Sequence, residues 1–168
     1  MQDDKRPVFR LALTSLLSAL AVTLSFLEGL LPVLPVPGAR LGLSNLATMT
    51  ALSLMGLPSA LGVTAVKALF ALLRGGTAFW MSLCGGLLST LVMAACIRLL
   101  SRRIGFIGTG ILGAAAHNGG QLLAAMLLLD TSLLYYAPFL LLAAVAAGTL
   151  TGLTLQLVFP KLHSLWKG

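Results

Sequence analysis

The sequence predicts an all-α integral membrane protein, a compact bundle of six transmembrane helices. Three observations predict this fold: hydrophobic residues make up 58% of the 168 residues, charged residues make up 9%, and the mean hydropathy is +1.02. These values lie far outside the range of a soluble globular domain. Because about 20 apolar residues span a bilayer, the chain has room for about six crossings with short loops. We therefore expect residues 1–168 to form a single membrane domain.

The apolar segments are separated by charged residues and by proline or glycine. The predicted helices cover residues 11–31, 41–57, 59–73, 78–97, 104–129 and 138–160. The first segment follows a basic start but has no clear small-residue cleavage site, so we interpret it as a retained anchor rather than a signal peptide. Gly56 and Pro58 separate the second and third segments as a tight hairpin. Both segments are short, so they form either two crossings or a re-entrant hairpin.

The net charge of +7 carries information about topology. The cationic residues lie between apolar segments and form no continuous basic face, which argues against nucleic acid as a partner. Lys and Arg are concentrated at the amino terminus, in the loop 98–103 and at the carboxyl terminus. By the positive-inside rule, both termini are predicted to be cytoplasmic.

Small residues recur every fourth position on three of the predicted helices. Ser15, Ala19 and Thr23 form such a strip on the first helix. Small side chains let another helix approach closely, so this strip either packs within the chain or docks a partner subunit. Gly85 with Ser89, and the series at 144, 148 and 152, predict further close helix packing.

Polar residues gather toward one side of the predicted membrane domain. The candidate substrate-binding residues are Glu28, Arg40, Asn45, Lys67, Arg74, His117, Asn118 and Gln121. Ionisable groups inside a membrane are costly and usually functional. The cations outnumber the carboxylates here, so the hypothesis is a site for an anionic ligand, walled by the first, second, third and fifth helices.

A purely structural interpretation stays open for each of these residues. Glu28 would neutralise Lys67 or Arg40, and Arg74 would extend to the membrane interface. The polar residues of the fifth helix would hydrogen-bond neighbouring helices.

Catalytic and cofactor motifs are scarce. The four acidic residues cannot build paired aspartate-rich motifs for several magnesium ions, and no metal site, no catalytic residue and no bound cofactor is predicted. The chain also lacks a GxxxxGK[ST] phosphate loop, so any ATP would be used by another subunit.

Two motifs carry a family resemblance that extends over roughly residues 10–160. PGARLGLSNLATMTAL at 37–52, with the Gly-Leu-Pro hairpin after it, and AAHNGGQLLAA at 115–125 resemble the heptaprenyl diphosphate synthase component I family, also called Gx transporters. Arg40 stands where a lysine is more usual, which preserves the charge. That family in turn resembles the substrate-binding S components of energy-coupling-factor transporters.

The resemblance implies a multi-pass protein of the bacterial cytoplasmic membrane that binds a small-molecule substrate. It also implies a transmembrane coupling subunit, docked on a strip like Ser15, Ala19 and Thr23, and ATPase subunits that use ATP. The loop before Arg40 would cap the substrate at the outer face.

Two further functions are compatible with the sequence. The alternative is a non-catalytic membrane component I of heptaprenyl diphosphate synthase in menaquinone side-chain synthesis, because the aspartate motifs of the enzyme are absent. The third hypothesis is a stand-alone channel, which a bundle of this size disfavours because it has little room for a pore.

Overall fold

The computed structural model describes residues 5–30, 42–100, 103–130 and 132–167, and all regular structure within these ranges is helical. The α-helices are α1 (Lys5–Leu30), α2 (Asn45–Met55), α3 (Leu57–Ala71), α4 (Gly76–Leu99), α5 (Phe106–Leu129) and α6 (Ala137–Lys167). Short 3-10 turns follow α3 at Leu72–Arg74 and precede α6 at Leu134–Tyr136. The predicted all-α fold with six helices is confirmed for these residues.

Within the residues that the structure describes, five segments are long and apolar enough to cross a membrane. These segments are Pro7–Leu30, Leu57–Arg74, Gly76–Leu99, Phe106–Leu129 and Leu134–Trp166. The chain is therefore a multi-pass membrane protein by length and composition of its helices.

The second predicted span is too long. The helix begins at Asn45 instead of residue 41 and contains only 11 residues, which at 1.5 Å per residue is about half the hydrocarbon thickness. The residues just before it form non-helical backbone, with Asn45 N–H bonded to the Gly42 carbonyl at 2.9 Å. Sequence hydropathy cannot separate such an apolar loop from the helix that follows it.

Proline has less effect on the helices than we predicted. The last helix continues through Pro160 to Lys167 instead of ending at residue 160. A proline removes one backbone donor, and a long helix can retain the other hydrogen bonds of its ladder. Pro58 lies in the first turn of α3, where its missing N–H would be unbonded in any case.

Helices α2 and α3 form the predicted tight hairpin. Gly56 joins them with a positive φ of 89°, a conformation that favours glycine. At the open end of the hairpin, Lys67 on α3 reaches Ser44 and Asn45 at the start of α2. The two helices therefore run antiparallel.

The start of α1 and the end of α6 lie on the same end of the bundle, which we call the near end. There Arg10 on α1 donates to the Met55 carbonyl at 2.8 Å, and Phe9 stacks on Trp166 with ring centroids 5.7 Å apart. The opposite end, where α1 finishes at Leu30 and α3 at Ala71, is called the far end. Glu28 and Lys67 consequently belong to the far half.

Glycine allows the later helices to touch backbone to backbone. A Cβ added at Gly148 would lie 2.4 Å from the Ile111 Cα, and one added at Gly110 would lie 2.3 Å from the Gly148 carbonyl oxygen. At Gly120 the added atom would meet the backbone of Cys84 and Gly85 at 2.8 Å. The predicted close-packing edges on α4 and α6 are thus used within the chain.

Candidate functional site

A buried polar cluster lies in the far half, where the backbone before α2 enters the bundle. Lys67 is 2% exposed, and its Nζ donates to Ser44 Oγ at 3.2 Å and to Asn45 Oδ1 at 3.3 Å. Lys67 precedes Arg74 by seven residues, which is about 10 Å along the helix axis. The loop before α2 therefore reaches well below the end of α3.

Glu28 holds the same loop from the opposite side. Its Oε1 accepts the backbone N–H of Leu43. Non-helical backbone at membrane depth is tolerated where protein groups form hydrogen bonds with its N–H and C=O groups. A carboxylate beside the free N–H groups at the start of a helix is also favourable. Glu28 from α1 and Lys67 from α3 thus fix the entrance of α2.

His117 and Gln121 form the second part of the cluster. They lie one turn apart on α5, and Gln121 Nε2 donates to His117 Nε2 at 3.1 Å. A Cβ added at Gly42 would lie 3.4 Å from His117 Cδ2 and 3.0 Å from Asn45 Nδ2. Gly42, in the loop before α2, therefore packs against both His117 on α5 and Asn45.

Helix α4 separates α3 from α5 through two consecutive glycines. A Cβ at Gly85 would lie 2.7 Å from the His117 carbonyl oxygen, and one at Gly86 would lie 2.7 Å from Thr64 Cγ2 and 3.9 Å from Lys67 Cε. The wall of the cluster therefore includes α4, which our list of walling helices omitted. Glycine spacing predicted close packing there but not which helices it would bring together.

Several buried polar atoms of this cluster have no hydrogen-bond partner among the described residues. They include Asn45 Nδ2, Glu28 Oε2, Ser89 Oγ and His117 Nδ1. His117 Nε2 accepts from Gln121, so the neutral ring carries its proton on Nδ1. Asn45 therefore presents a donor beside the ammonium group of Lys67, whereas His117 Nδ1 lies against the backbone of Gly85. The Asn45 and Lys67 donors together can bind an anion.

The remaining predicted site residues have different environments. Arg74 is exposed at the end of the 3-10 turn, outside the buried cluster, and Arg40 lies outside the described residues. Asn118 is buried, but its Nδ2 donates to the Leu140 carbonyl of α6 at 2.8 Å. Asn118 thus links α5 to α6 and faces away from the partners of His117.

Ser44 is a cluster residue that the sequence reasoning missed. Serine immediately before a helix usually caps it, which is a signal the motif SNL contains. Here Ser44 makes no side-chain cap bond and accepts from Lys67 instead. Its role therefore depends on the tertiary position of α3.

The strip formed by Ser15, Ala19 and Thr23 does not pack within the bundle. All three residues are exposed, whereas Leu17, Ser18 and Ala21 on the opposite face of α1 are buried. Thr23 Oγ1 donates a hydrogen bond to the Ala19 carbonyl of the same helix at 2.9 Å. No described helix therefore packs closely against this strip.

A paired hydroxyl contact next to the cluster joins α3 to α4. Thr90 Oγ1 donates to the Gly86 carbonyl at 2.8 Å, so Thr64 must be the donor in the 2.9 Å contact between the two threonine hydroxyls. We expect Thr64→Val and Thr90→Val each to lower the free energy of unfolding by less than about 1 kcal/mol, with a coupling of about 0.6 kcal/mol. A double-mutant cycle in detergent micelles measures this, and strictly additive losses would show that the hydroxyls do not interact.

No described group of three or more His, Cys, Asp or Glu side chains is placed to hold a metal ion. The described cluster contains one carboxylate, and its other polar groups are amides, hydroxyls, an imidazole and an ammonium group. Its chemistry suits recognition of a charged or polar molecule.

Comparisons with known proteins assign the family. Neither the curated proteins nor the solved structures include a match to this chain. The family model described as heptaprenyl diphosphate synthase component I matches residues 17–158, which cover most of the described bundle and all of the polar cluster. The chain therefore belongs to the heptaprenyl diphosphate synthase component I family.

Proposed function

We propose that the chain is a substrate-binding membrane subunit of an importer of the energy-coupling-factor type. Its substrate is a small anionic or amphiphilic solute. The proposal rests on the buried ammonium group of Lys67, whose described hydrogen-bond partners are two neutral side chains. The Nδ2 atom of one of them, Asn45, has no hydrogen-bond partner among the described residues. A buried cation and an unsatisfied donor are costly unless an acceptor completes them.

Glu28 interacts electrostatically with Lys67, but the acceptors of the Lys67 hydrogen bonds are Ser44 and Asn45. Glu28 Oε1 is engaged by the Leu43 N–H, and no ion pair within 4.0 Å joins it to Lys67 in the described part of the chain. A carboxylate or phosphate of the substrate would accept from Lys67 and Asn45 together. Charge-assisted hydrogen bonds of this kind are about twice as strong as neutral ones.

The exposed strip of Ser15, Ala19 and Thr23 supports a partner in the membrane. A small-residue strip that faces outward lets another helix approach α1 closely. We assign this surface to a transmembrane coupling subunit, with ATP used by separate ATPase subunits. In this proposal, the chain itself recognises the substrate.

The orientation follows from the positive-inside rule. Arg10, Arg98 and Arg103 flank the near end of the bundle. We therefore place the near end and both termini in the bacterial cytoplasm, and the polar cluster in the outer half of the membrane. A substrate would then enter from outside.

The family description favours a second function. A heptaprenyl diphosphate synthase component I implies a second component in the same complex. In this alternative, the chain is a non-catalytic membrane component and its soluble partner holds the catalytic metal ions. Deleting the gene distinguishes the two: loss of long-chain menaquinone with unchanged solute uptake would support the synthase role.

The substrate-binding role predicts a selective effect of Asn45→Asp. The substitution keeps an oxygen as acceptor for Lys67 and replaces the unbonded Nδ2 by a second carboxylate oxygen. We expect the variant to fold and to lose at least about tenfold in affinity for an anionic substrate, because like charges repel. The substrate is first identified by native mass spectrometry of the gently purified wild-type protein, and its binding is then titrated.

Ser53→Ala is the matched control, since Ser53 Oγ also lacks a partner but lies near the other end of α2. It should bind the substrate as the wild type does. Undiminished binding by a folded Asn45→Asp protein would exclude an anion site at Lys67. Absence of a coupling subunit and ATPases from gentle pull-downs would count against the importer assignment.

A further inference from the structure

A groove of about 460 Å³ lies between α5 and the first turn of α6. Its walls are mainly apolar and include Leu122 on one helix and Pro138 on the other. Gly119 and Leu141 line it and are exposed on the outside of the bundle. Because both belong to helices that cross the membrane, the groove opens toward lipid.

Helix α5 contributes only small side chains to part of this groove. Ala115 and Gly119 line it, and no atom lies within 4 Å of a Cβ added at Gly119. At the near end, by contrast, Gly110 and Gly148 bring the same two helices into backbone contact. The groove therefore occupies the far part of the helix pair, where the close contact has ended.

One polar side chain lies in the groove wall. Asn118 is 3% exposed, and its Nδ2 is used by the Leu140 carbonyl, whereas Oδ1 has no hydrogen-bond partner among the described residues. An unsatisfied buried acceptor is destabilising. A donor on a molecule in the groove would satisfy it with a small adjustment of the amide.

We propose that this groove binds a membrane-dissolved amphiphile with one apolar chain and a hydroxyl group that donates to Asn118 Oδ1. The apolar walls and the opening toward lipid select a molecule that arrives from the bilayer. The unbonded carbonyl oxygen selects a hydrogen-bond donor over a plain hydrocarbon. The volume lies within the range of about 300–1,000 Å³ that small-molecule sites occupy.

This groove is separate from the cluster around Lys67. Asn118 and His117 are consecutive on α5, so their side chains point about 100° apart around the helix. His117 packs against Gly42 and Gly85, whereas Asn118 faces α6. None of the described residues that line the groove is charged, so the proposed ligand is neutral at this position.

The test uses the full chain in nanodiscs with two photoactivatable probes, a diazirine-bearing hexadecanol and the matching hexadecane without the hydroxyl. Cross-linked peptides are mapped by mass spectrometry. We expect the alcohol to label residues 115–122 or 137–141 about fivefold more than the alkane does, which is the effect of one hydrogen bond. Gly119→Leu should reduce this labelling at least about fivefold, because the new side chain fills the groove.

Gly76→Leu is the matched control, since an added Cβ there also meets no atom within 4 Å, and Gly76 lies at the start of α4. It should leave the labelling unchanged. Asn118→Leu should remove the preference for the alcohol over the alkane. If this variant does not fold, the labelling of the Gly119→Leu variant tests the proposal. The proposal would be overturned by equal labelling with the two probes or by labelling spread evenly over all lipid-facing helices. Unchanged labelling of the Gly119→Leu variant would overturn it too. So would a polypeptide cross-linked in the groove when the same probes are used in native membranes.

Discussion

Replacing Lys67 with methionine should lower the free energy of unfolding by about 3–5 kcal/mol. Lys67 is 2% exposed and shares the entrance of α2 with the buried carboxylate of Glu28. Methionine restores most of the apolar volume but removes the buried cation, so that Glu28 keeps only the exposed Arg74 as a described cation that interacts with it. Unfolding in mixed micelles with increasing sodium dodecyl sulfate, followed by circular dichroism, measures the loss.

The double variant Glu28→Gln, Lys67→Met is the control for this explanation. Glutamine keeps an oxygen that accepts the Leu43 N–H and removes the charge. We therefore expect the double variant to recover most of the stability lost in Lys67→Met. If Lys67→Met is as stable as the wild type, or if the second substitution only adds to the loss, the two charges do not compensate each other.

Gly148→Ala should separate α5 from α6 and destabilise the bundle by about 1–3 kcal/mol or more. The added methyl group would lie 2.4 Å from the Ile111 Cα and 2.6 Å from the Gly110 carbonyl oxygen, which are backbone atoms that cannot rotate away. The same unfolding measurement reports the change. Cross-linking of a cysteine pair placed on α5 and α6 would report the wider helix separation.

Gly119→Ala is the matched control on α5. Its added Cβ meets no atom within 4 Å, so only the small gain in helix propensity of alanine over glycine should remain. We expect this variant to be as stable as the wild type or slightly more stable. Equal destabilisation by the two substitutions would mean that loss of glycine flexibility, and not helix contact, controls the stability.

The same glycines illustrate how much of the fold the sequence predicts. Small residues at four-residue spacing identified α6 as a close-packing helix, and the hairpin at Gly56 was predicted from its turn residues. The length of α2 was not predictable, because the residues before Asn45 are as apolar as those after it. Continuation of α6 through Pro160 was missed because local propensity understates the stability of a long membrane helix.

The candidate site, like the fold, was only partly predictable from the sequence. Composition and spacing identified the unusual polar residues, including Lys67 and the pair His117 and Gln121 on one face of α5. The partners of Lys67 lie more than 20 positions away in the chain, so no local pattern contains them. Ser44 and the backbone of Gly42 entered the cluster only through such contacts.

The sequence by itself determined that this chain is a multi-pass helical membrane protein and that a few costly polar groups lie within its apolar segments, because hydropathy is a property of each residue. Only the tertiary structure decided which of these groups meet. The loop before α2 brings Asn45 to Lys67, the orientation of α5 turns Asn118 toward α6, and the end of α3 leaves Arg74 exposed. These choices depend on how helices rotate and pack against one another, which helical periodicity alone does not specify.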